Sequence, residues 1–205
     1  IGGGEIVFDY VSPLGNISNV QLGVPVAINI ENGIAAMALA QLGGVSNEDI
    51  KTGMASFRGV DRRFDFKIKT DKVVYLSDYA HHPEEIKQSI LSMRALYEDK
   101  RLTGIFQPHL YTRTRDFYQE FADSLSLLDE VILTDIYPAR ELPIEGVSSQ
   151  LIYDNLRPDI DKTLCKKEEV IDILKKKEIE VLMTLGAGDI ENYAPQICEI
   201  LNERC

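Results

Sequence analysis

The stretch Val73-Val74-Tyr75-Leu76-Ser77-Asp78-Tyr79-Ala80-His81-His82-Pro83-Glu84-Glu85 changes character at its middle. Its first half is apolar and rich in residues that favour strands. Its second half opens a helix: Pro83 suits a first helical turn, and Glu84 and Glu85 complement the helix dipole there. Ile86, Ile90, Met93 and Tyr97 follow at near-helical spacing. The same change recurs where Leu102 to Gln107 runs into Pro108-His109-Leu110-Tyr111-Thr112-Arg113-Thr114-Arg115. All three histidines of the chain lie in these two segments. An open α/β sheet binds ligands outside the carboxyl ends of its strands, where the next helices begin. The two segments therefore predict one composite site.

Working outward, Phe64 to Lys69 and Lys72 to Asp78 predict a hairpin around Thr70-Asp71. Thr112 or Thr114 is expected to cap a helix whose Phe117, Phe121, Leu125 and Leu128 share a face. Strands are expected at Glu130 to Asp135, Ile160 to Leu164 and Glu180 to Leu185, with helices from Ser148-Ser149, Glu168 and Asp189. Asp135 to Val147 reads as a loop. Repeated β-α units imply an α/β fold with a mostly parallel sheet covered on both faces. Upstream, Glu5 to Val11 and Gln21 to Ile28 read as strands about a turn at Pro13-Leu14-Gly15-Asn16. Asn32 to Gln41 reads as a buried helix closed by Gly43-Gly44, and Ser46 as the cap of the next. Arg58-Gly59-Val60 reads as a connector, which divides the chain into 1–59 and 60–205. Ile1-Gly2-Gly3-Gly4 runs straight into a strand, so the chain is expected to begin inside a domain, and its glycines are not read as a phosphate loop.

The bulk numbers suit a soluble globular protein: 205 residues, 44% hydrophobic and 27% charged. No apolar run approaches the roughly 20 residues of a membrane span, and no secretory leader is read at the start. Cys165, Cys198 and Cys205 are odd in number and widely spaced, which favours reduced thiols in a cytosolic protein. A net charge of −11 argues against nucleic acid or anionic lipid as partner. It leaves room for a small anionic ligand at a local basic cluster, for which Arg62, Arg63, Arg113 and Arg115 are candidates.

Tyr79 beside Asp78 can stack on a planar base while the aspartate accepts from ribose hydroxyls. Equally, it can be a strand-end tyrosine with a wet hydroxyl. His81, His82 and His109 are read as polar ligand contacts rather than a zinc site, which needs three or four protein ligands. Arg113 at a helix start favours a carboxylate or phosphate, or it serves as a surface partner of Asp116. Gly186-Ala187-Gly188-Asp189 lacks the third glycine of a dinucleotide fingerprint and is read as a tight backbone turn capped by Asp189. No Gly-Lys pair occurs, so no P-loop lysine can be assigned.

Together these motifs resemble the C-terminal part of a Mur ligase, on the alanine-adding branch of that family. The resemblance rests on Asn29-Ile30-Glu31-Asn32 before the alanine-rich helix, on Phe57-Arg58-Gly59-Val60-Asp61-Arg62-Arg63-Phe64, and on Asp78 to Pro83. It rests also on Gln107 to Asp116 and on Asp135-Ile136-Tyr137-Pro138-Ala139-Arg140-Glu141 with Pro143-Ile144 and Gly146-Val147-Ser148. It implies that 1–59 is the tail of a central ATPase domain and 60–205 a Rossmann-like, amino-acid-binding domain. It implies a reaction in which ATP converts the lactyl carboxylate of UDP-N-acetylmuramate to an acyl phosphate that L-alanine attacks. By the same resemblance Asn29, Asn32, Arg63, Asp78 and Tyr79 would bind ATP, and His81, His109 and Arg113 would bind L-alanine. The P-loop lysine and the Mg2+ ligands would lie upstream, so this chain alone is expected to be inactive. Two positions depart from the pattern: Ile28 stands where histidine is usual, and Leu110 where arginine is common. A paralogue acting on a tripeptide or another amino acid, or a non-catalytic nucleotide-binding module, are the alternatives.

Overall fold

The computed structural model describes residues 5–204; the reading of Gly2-Gly3-Gly4 and the thiol of Cys205 fall outside them. Two compact units emerge: 5–61 with 92–98, and 62–91 with 99–204.

The first unit carries β1 (Val7–Tyr10), β2 (Ile17–Gln21), α1 (Ile28–Leu42) and α2 (Asn47–Ser56). The antiparallel β1–β2 ribbon lies earlier than Gln21 to Ile28. Pro25 lacks the amide a ladder needs, and Gly23 instead donates to the Met54 carbonyl at 3.0 Å. Ser46 caps α2 as expected, accepting from the Asp49 amide at 3.2 Å. Met37 of α1 joins Tyr10, Ile17, Val20 and Ile50 in a small core. Much of α1 is not buried as its composition suggests, since Leu39 is 71% and Leu42 72% exposed. A two-stranded ribbon and one short helix cover only one stripe of it.

The second unit is an α/β domain. Its elements are β3 (Asp65–Lys69), β4 (Val74–Asp78), α3 (Pro83–Leu96, whose end belongs to the other unit), β5 (Leu102–Phe106) and α4 (Tyr111–Leu125). β6 (Glu130–Leu133), α5 (Gln150–Asn155), β7 (Asp161–Leu164), α6 (Val170–Lys175), β8 (Val181–Leu185) and α7 (Ala194–Asn202) complete it. The sheet order is β3-β4-β8-β5-β6-β7, with β3 antiparallel to β4 and every other pairing parallel. Alternation along β5 shows how both faces are covered. Ile105 points into a cluster with Val170, Leu174, Ile197 and Leu201 of α6 and α7. Phe106 points to the other face and meets Phe121 of α4 with ring centroids 5.2 Å apart. No helix among the described residues is long and apolar enough to cross a membrane.

β8, last in sequence, inserts between β4 and β5, and this insertion builds the site. Asp78 pairs with Leu185, and Leu185 with Phe106, so the carboxyl ends of three central strands finish level. The backbone ties them further: the Gly186 amide donates to the Asp78 carbonyl at 3.2 Å, and the Gln107 amide to that of Leu185 at 3.1 Å.

Two expected caps are absent. Neither threonine caps α4, whose N-cap position is Leu110; Thr114 instead donates its hydroxyl to the Leu110 carbonyl at 2.9 Å. Asp189 makes no side-chain cap either; its carboxylate accepts from the Gln107 amide group at 2.8 Å and pairs with Lys167. The Gly186–Asp189 turn is tight because Gln107 presses on it. A Cβ on Gly186, at φ +135°, would lie 2.6 Å from the Gln107 carbonyl oxygen. Gly186→Ala should therefore destabilise the fold by about 1–3 kcal/mol, read from the urea midpoint. Gly146→Ala, where an added methyl meets nothing within 4 Å, should lose less.

Candidate functional site

Three segments that follow strands line the site. After β4, the His82 ring stands edge-on to Phe117, where α4 kinks at φ −129°. The carboxylate of Glu85 reaches back to the amides of His81 at 3.0 Å and His82 at 3.2 Å, forming half of a capping box for α3. Burial of Glu85 works against its ionisation. The His81 amide, the His81 ring, the His82 amide and Arg63 outweigh it and hold the carboxyl below its ordinary range. The His81 ring is fixed by Nδ1, 2.9 Å from the Tyr79 carbonyl oxygen.

After β5, Pro108 and Leu110 bracket His109. Leu110 donates its amide to the Tyr137 carbonyl at 2.9 Å, and Tyr137 donates to the Pro108 carbonyl at 2.8 Å. This short bridge brings in the loop after β6 and stacks the Tyr137 ring on His109 at 5.6 Å. The imidazoles of His81 and His109 lie 6.1 Å apart, and a guanidinium nitrogen of Arg113 is 3.3 Å from His109 Nδ1. Burial first, then the guanidinium of Arg113 and the neighbouring His81 ring, push the His109 pKa down, with Glu141 opposing. His109 is accordingly neutral around pH 7. The chain thus brings His81, His109 and Arg113 together.

Tyr79 joins them through its ring, 5.1 Å from that of His81. Arg62 stands 4.7 Å and Arg63 5.9 Å from the Tyr79 centroid, a cation–π arrangement; Arg62 also pairs with Glu191. Asp78 lies beside them, but its carboxylate is turned inward, accepting from the Ser89 hydroxyl and from the Ala80 amide at 3.3 Å. Burial raises its pKa in spite of these bonds and one from the Phe64 amide. Arg115 is exposed and pairs with Asp116, so it takes no part in the basic cluster. Asn29 and Asn32 belong to the other unit. They meet through a 3.3 Å bond and line a cavity of about 310 Å3, walled by Leu22, Gly33, Ala36, Met54 and Phe57.

Residue-type reasoning passed over two members of the site. Glu141 accepts from the Thr112 amide at 3.0 Å and from its hydroxyl, and these bonds hold its carboxyl low. Tyr137 supplies the wall behind His109. Both sit in a loop that carries no strand or helix periodicity. The only signal was their place in the Asp135 to Glu141 motif.

The chain matches the family described as the glutamate ligase domain of Mur ligases over residues 62–190. It is 78% identical over 204 residues to a UDP-N-acetylmuramate–L-alanine ligase of Phocaeicola vulgatus, covering 100% of this chain and 44% of that protein. It is 59% identical to the ligase of the same description from Parabacteroides distasonis, covering 97% and 43%. Among solved structures, the UDP-N-acetylmuramate-alanine ligase of Thermotoga maritima superposes with a TM-score of 0.78 at 25% identity, over 100% of this chain and 44% of that one. A folylpolyglutamate synthase from the same organism shares the fold at a TM-score of 0.72 and 15% identity, covering 95% of this chain and 45% of that one. The chain thus spans less than half the length of the curated relatives it matches.

An imidazole held neutral by burial and a nearby guanidinium should titrate below 6.5, the ordinary histidine value. A depressed histidine destabilises the fold on acidification: below the unfolded pKa the unfolded chain binds the proton first. NMR titration of the ring protons should place the His109 midpoint below that of a histidine in a short peptide. Arg113→Ala should move it only part of the way back, because burial is the larger cause.

Proposed function

The chain belongs to the Mur ligase family, and from that membership we propose that the protein it forms part of joins L-alanine to the lactyl carboxylate of UDP-N-acetylmuramate, with ATP as the energy source. One observation carries the reading: two imidazoles, 6.1 Å apart, and a guanidinium converge at the carboxyl end of the sheet. Arg113 pairs the carboxylate of L-alanine, its always-charged fork being suited to that partner. His109, neutral, adds a hydrogen bond, and His81 faces the amine end. Tyr137 closes the wall behind His109.

The nucleotide side rests on the other unit. The cavity at Asn29 and Asn32 has the character a purine asks for: apolar walls with a few polar groups to fix its edge. Tyr79, Arg63 and Asp78 are assigned to the remainder of the nucleotide. Asp78 would have to turn from Ser89 to reach a ribose, or act by holding the turn on which Tyr79 stands. The Mg2+ that accompanies ATP and the P-loop would come from outside this chain.

In this scheme the residues of the chain position reactants rather than make or break bonds. ATP forms an acyl phosphate on UDP-N-acetylmuramate, and the pocket presents the amine to that carbonyl. Holding a nucleophile in register contributes several kcal/mol, up to roughly 7–11 in the best cases. A cytosolic location agrees with these substrates and with Cys165, whose thiol burial pushes up to about 11 and so keeps protonated and inert.

The test is phosphate release by the full-length protein with ATP, UDP-N-acetylmuramate and a panel of amines. L-alanine is expected to stimulate it most. Preference for a tripeptide or another amino acid would overturn the substrate assignment. Arg113→Ala should raise KM for L-alanine by about 10- to 100-fold, as loss of a charged hydrogen bond implies, with KM for ATP unchanged. Gly53 lines the Asn29–Asn32 cavity, and a Cβ there meets nothing within 4 Å. Gly53→Leu should therefore fill the cavity and raise KM for ATP while leaving that for L-alanine alone.

A further inference from the structure

The two imidazoles of the pocket are not equivalent, and their hydrogen bonds say which nitrogen of each carries the proton. His81 Nδ1 faces two groups that can only accept: the Tyr79 carbonyl oxygen at 2.9 Å and the Glu85 carboxylate at 3.5 Å. In the neutral ring Nδ1 must therefore be the N–H nitrogen, which puts the lone pair on Nε2. His109 is the reverse. Its Nδ1 faces a guanidinium nitrogen of Arg113 at 3.3 Å, which can only donate. Nδ1 there holds the lone pair, and the proton sits on Nε2. The pocket thus offers one imidazole that accepts and one that donates, in rings 6.1 Å apart.

A free amino acid at neutral pH presents a carboxylate and an ammonium, and the ammonium cannot attack a carbonyl until it loses a proton. We propose that His81 Nε2 is the acceptor of that proton, while His109 Nε2–H and Arg113 hold the carboxylate. This rests on the amino-acid reading above and adds the group that makes the amine nucleophilic. The ammonium gives one proton to His81, and the resulting imidazolium has Glu85 as its ion-pair partner. The neutral amine then attacks the acyl phosphate carbonyl. The C–N bond forms, the C–O bond to phosphorus breaks, and the amine's second proton leaves on hydrogen phosphate. His81 returns its proton to solvent.

The charged and titratable groups around His81 are few. Glu85 lies on the Nδ1 side. Tyr79 stands edge-on, with Arg62 and Arg63 over its ring. His109 has its ring 6.1 Å away, with Arg113 beside it. Asp78 is turned inward to Ser89 and Ala80, and Glu141 is held by Thr112; Glu85 is the carboxylate paired with the ring and is placed to stabilise a proton it takes up.

The experiment uses the full-length protein and two nucleophiles. L-alanine must be deprotonated to react; hydroxylamine is already neutral at pH 7 and traps the acyl phosphate as a hydroxamate. His81→Asn and His81→Gln are expected to lower kcat for L-alanine ligation by about 100-fold or more, the usual scale of a lost general base. Hydroxamate formation should stay at the wild-type rate. The deficit with L-alanine should shrink from neutral to alkaline pH, as solution supplies the neutral amine. A higher KM for L-alanine with kcat unchanged would overturn the proposal, leaving His81 as a holding contact. So would a deficit that stays constant with pH, or loss of the hydroxamate in both variants, which would mark a structural role. Wild-type protein that forms hydroxamate but never ligates L-alanine would instead sink the amino-acid reading on which the proposal stands.

Discussion

Gln107 is buried at the end of β5, and both ends of its amide are committed. Its nitrogen donates to Asp189 at 2.8 Å, and its oxygen accepts the Ile190 amide at 3.0 Å. These bonds clamp the turn after β8 to the segment after β5, and two glycines make the fit possible. A Cβ on Gly188 would stand 2.2 Å from the Gln107 side-chain oxygen. A buried amide left unpaired costs about 1–3 kcal/mol, so this turn and Gln107 hold each other in place. Two residues further on lies His109, joined to the loop after β6 by the bonds between Pro108, Leu110 and Tyr137. The site is therefore rigid for a reason that can be traced bond by bond, although most of it lies outside regular structure.

Rigidity of this kind is bought with backbone strain. Leu110 has a φ of +75°, which a branched side chain rarely adopts. The cost is of order 1–3 kcal/mol, and it is offset by the bonds that flank it. The Leu110 amide reaches Tyr137, and its carbonyl oxygen receives both the amide and the hydroxyl of Thr114. The unusual φ turns the chain sharply from His109 into α4. His109 and Arg113, four residues apart, can then meet across the first helical turn.

The alternation of strand and helix was legible because it is local: a β-branched run, a proline or acidic first turn, an apolar stripe. Strand order was not. Nothing in Val181 to Leu185 says that it inserts between β4 and β5, yet that insertion brings three strand ends level. Tyr79, His81, His109 and Arg113 could be picked out because their residue types are informative at the mouth of a sheet. Glu141 could not, since its partner Thr112 is 29 residues away and its own loop has no periodicity. The α1 helix misled for a related reason. An alanine-rich composition marks a surface that can be covered, and it is silent on how much covering this stretch of chain provides.

Glu141 also changes what binds an anion here. The start of α4 offers free amides and a positive dipole end, and with Arg113 beside it the sequence suggests that both attract a ligand carboxylate. In the folded chain Glu141 already takes the Thr112 amide and hydroxyl. The helix end is neutralised from within, by a carboxylate that those bonds keep ionised. What remains for an incoming carboxylate is one guanidinium and one neutral imidazole. Leu110, next to His109, adds no second cation. On the amino-acid reading, Arg113 balances one carboxylate while Arg62 and Arg63 stand over the Tyr79 ring, so a second acidic group beside Arg113 would leave its charge unpaired in a partly buried site. Such a charge is expensive to leave uncompensated. On the reading proposed above, these electrostatics suit an amino acid whose side chain is neutral.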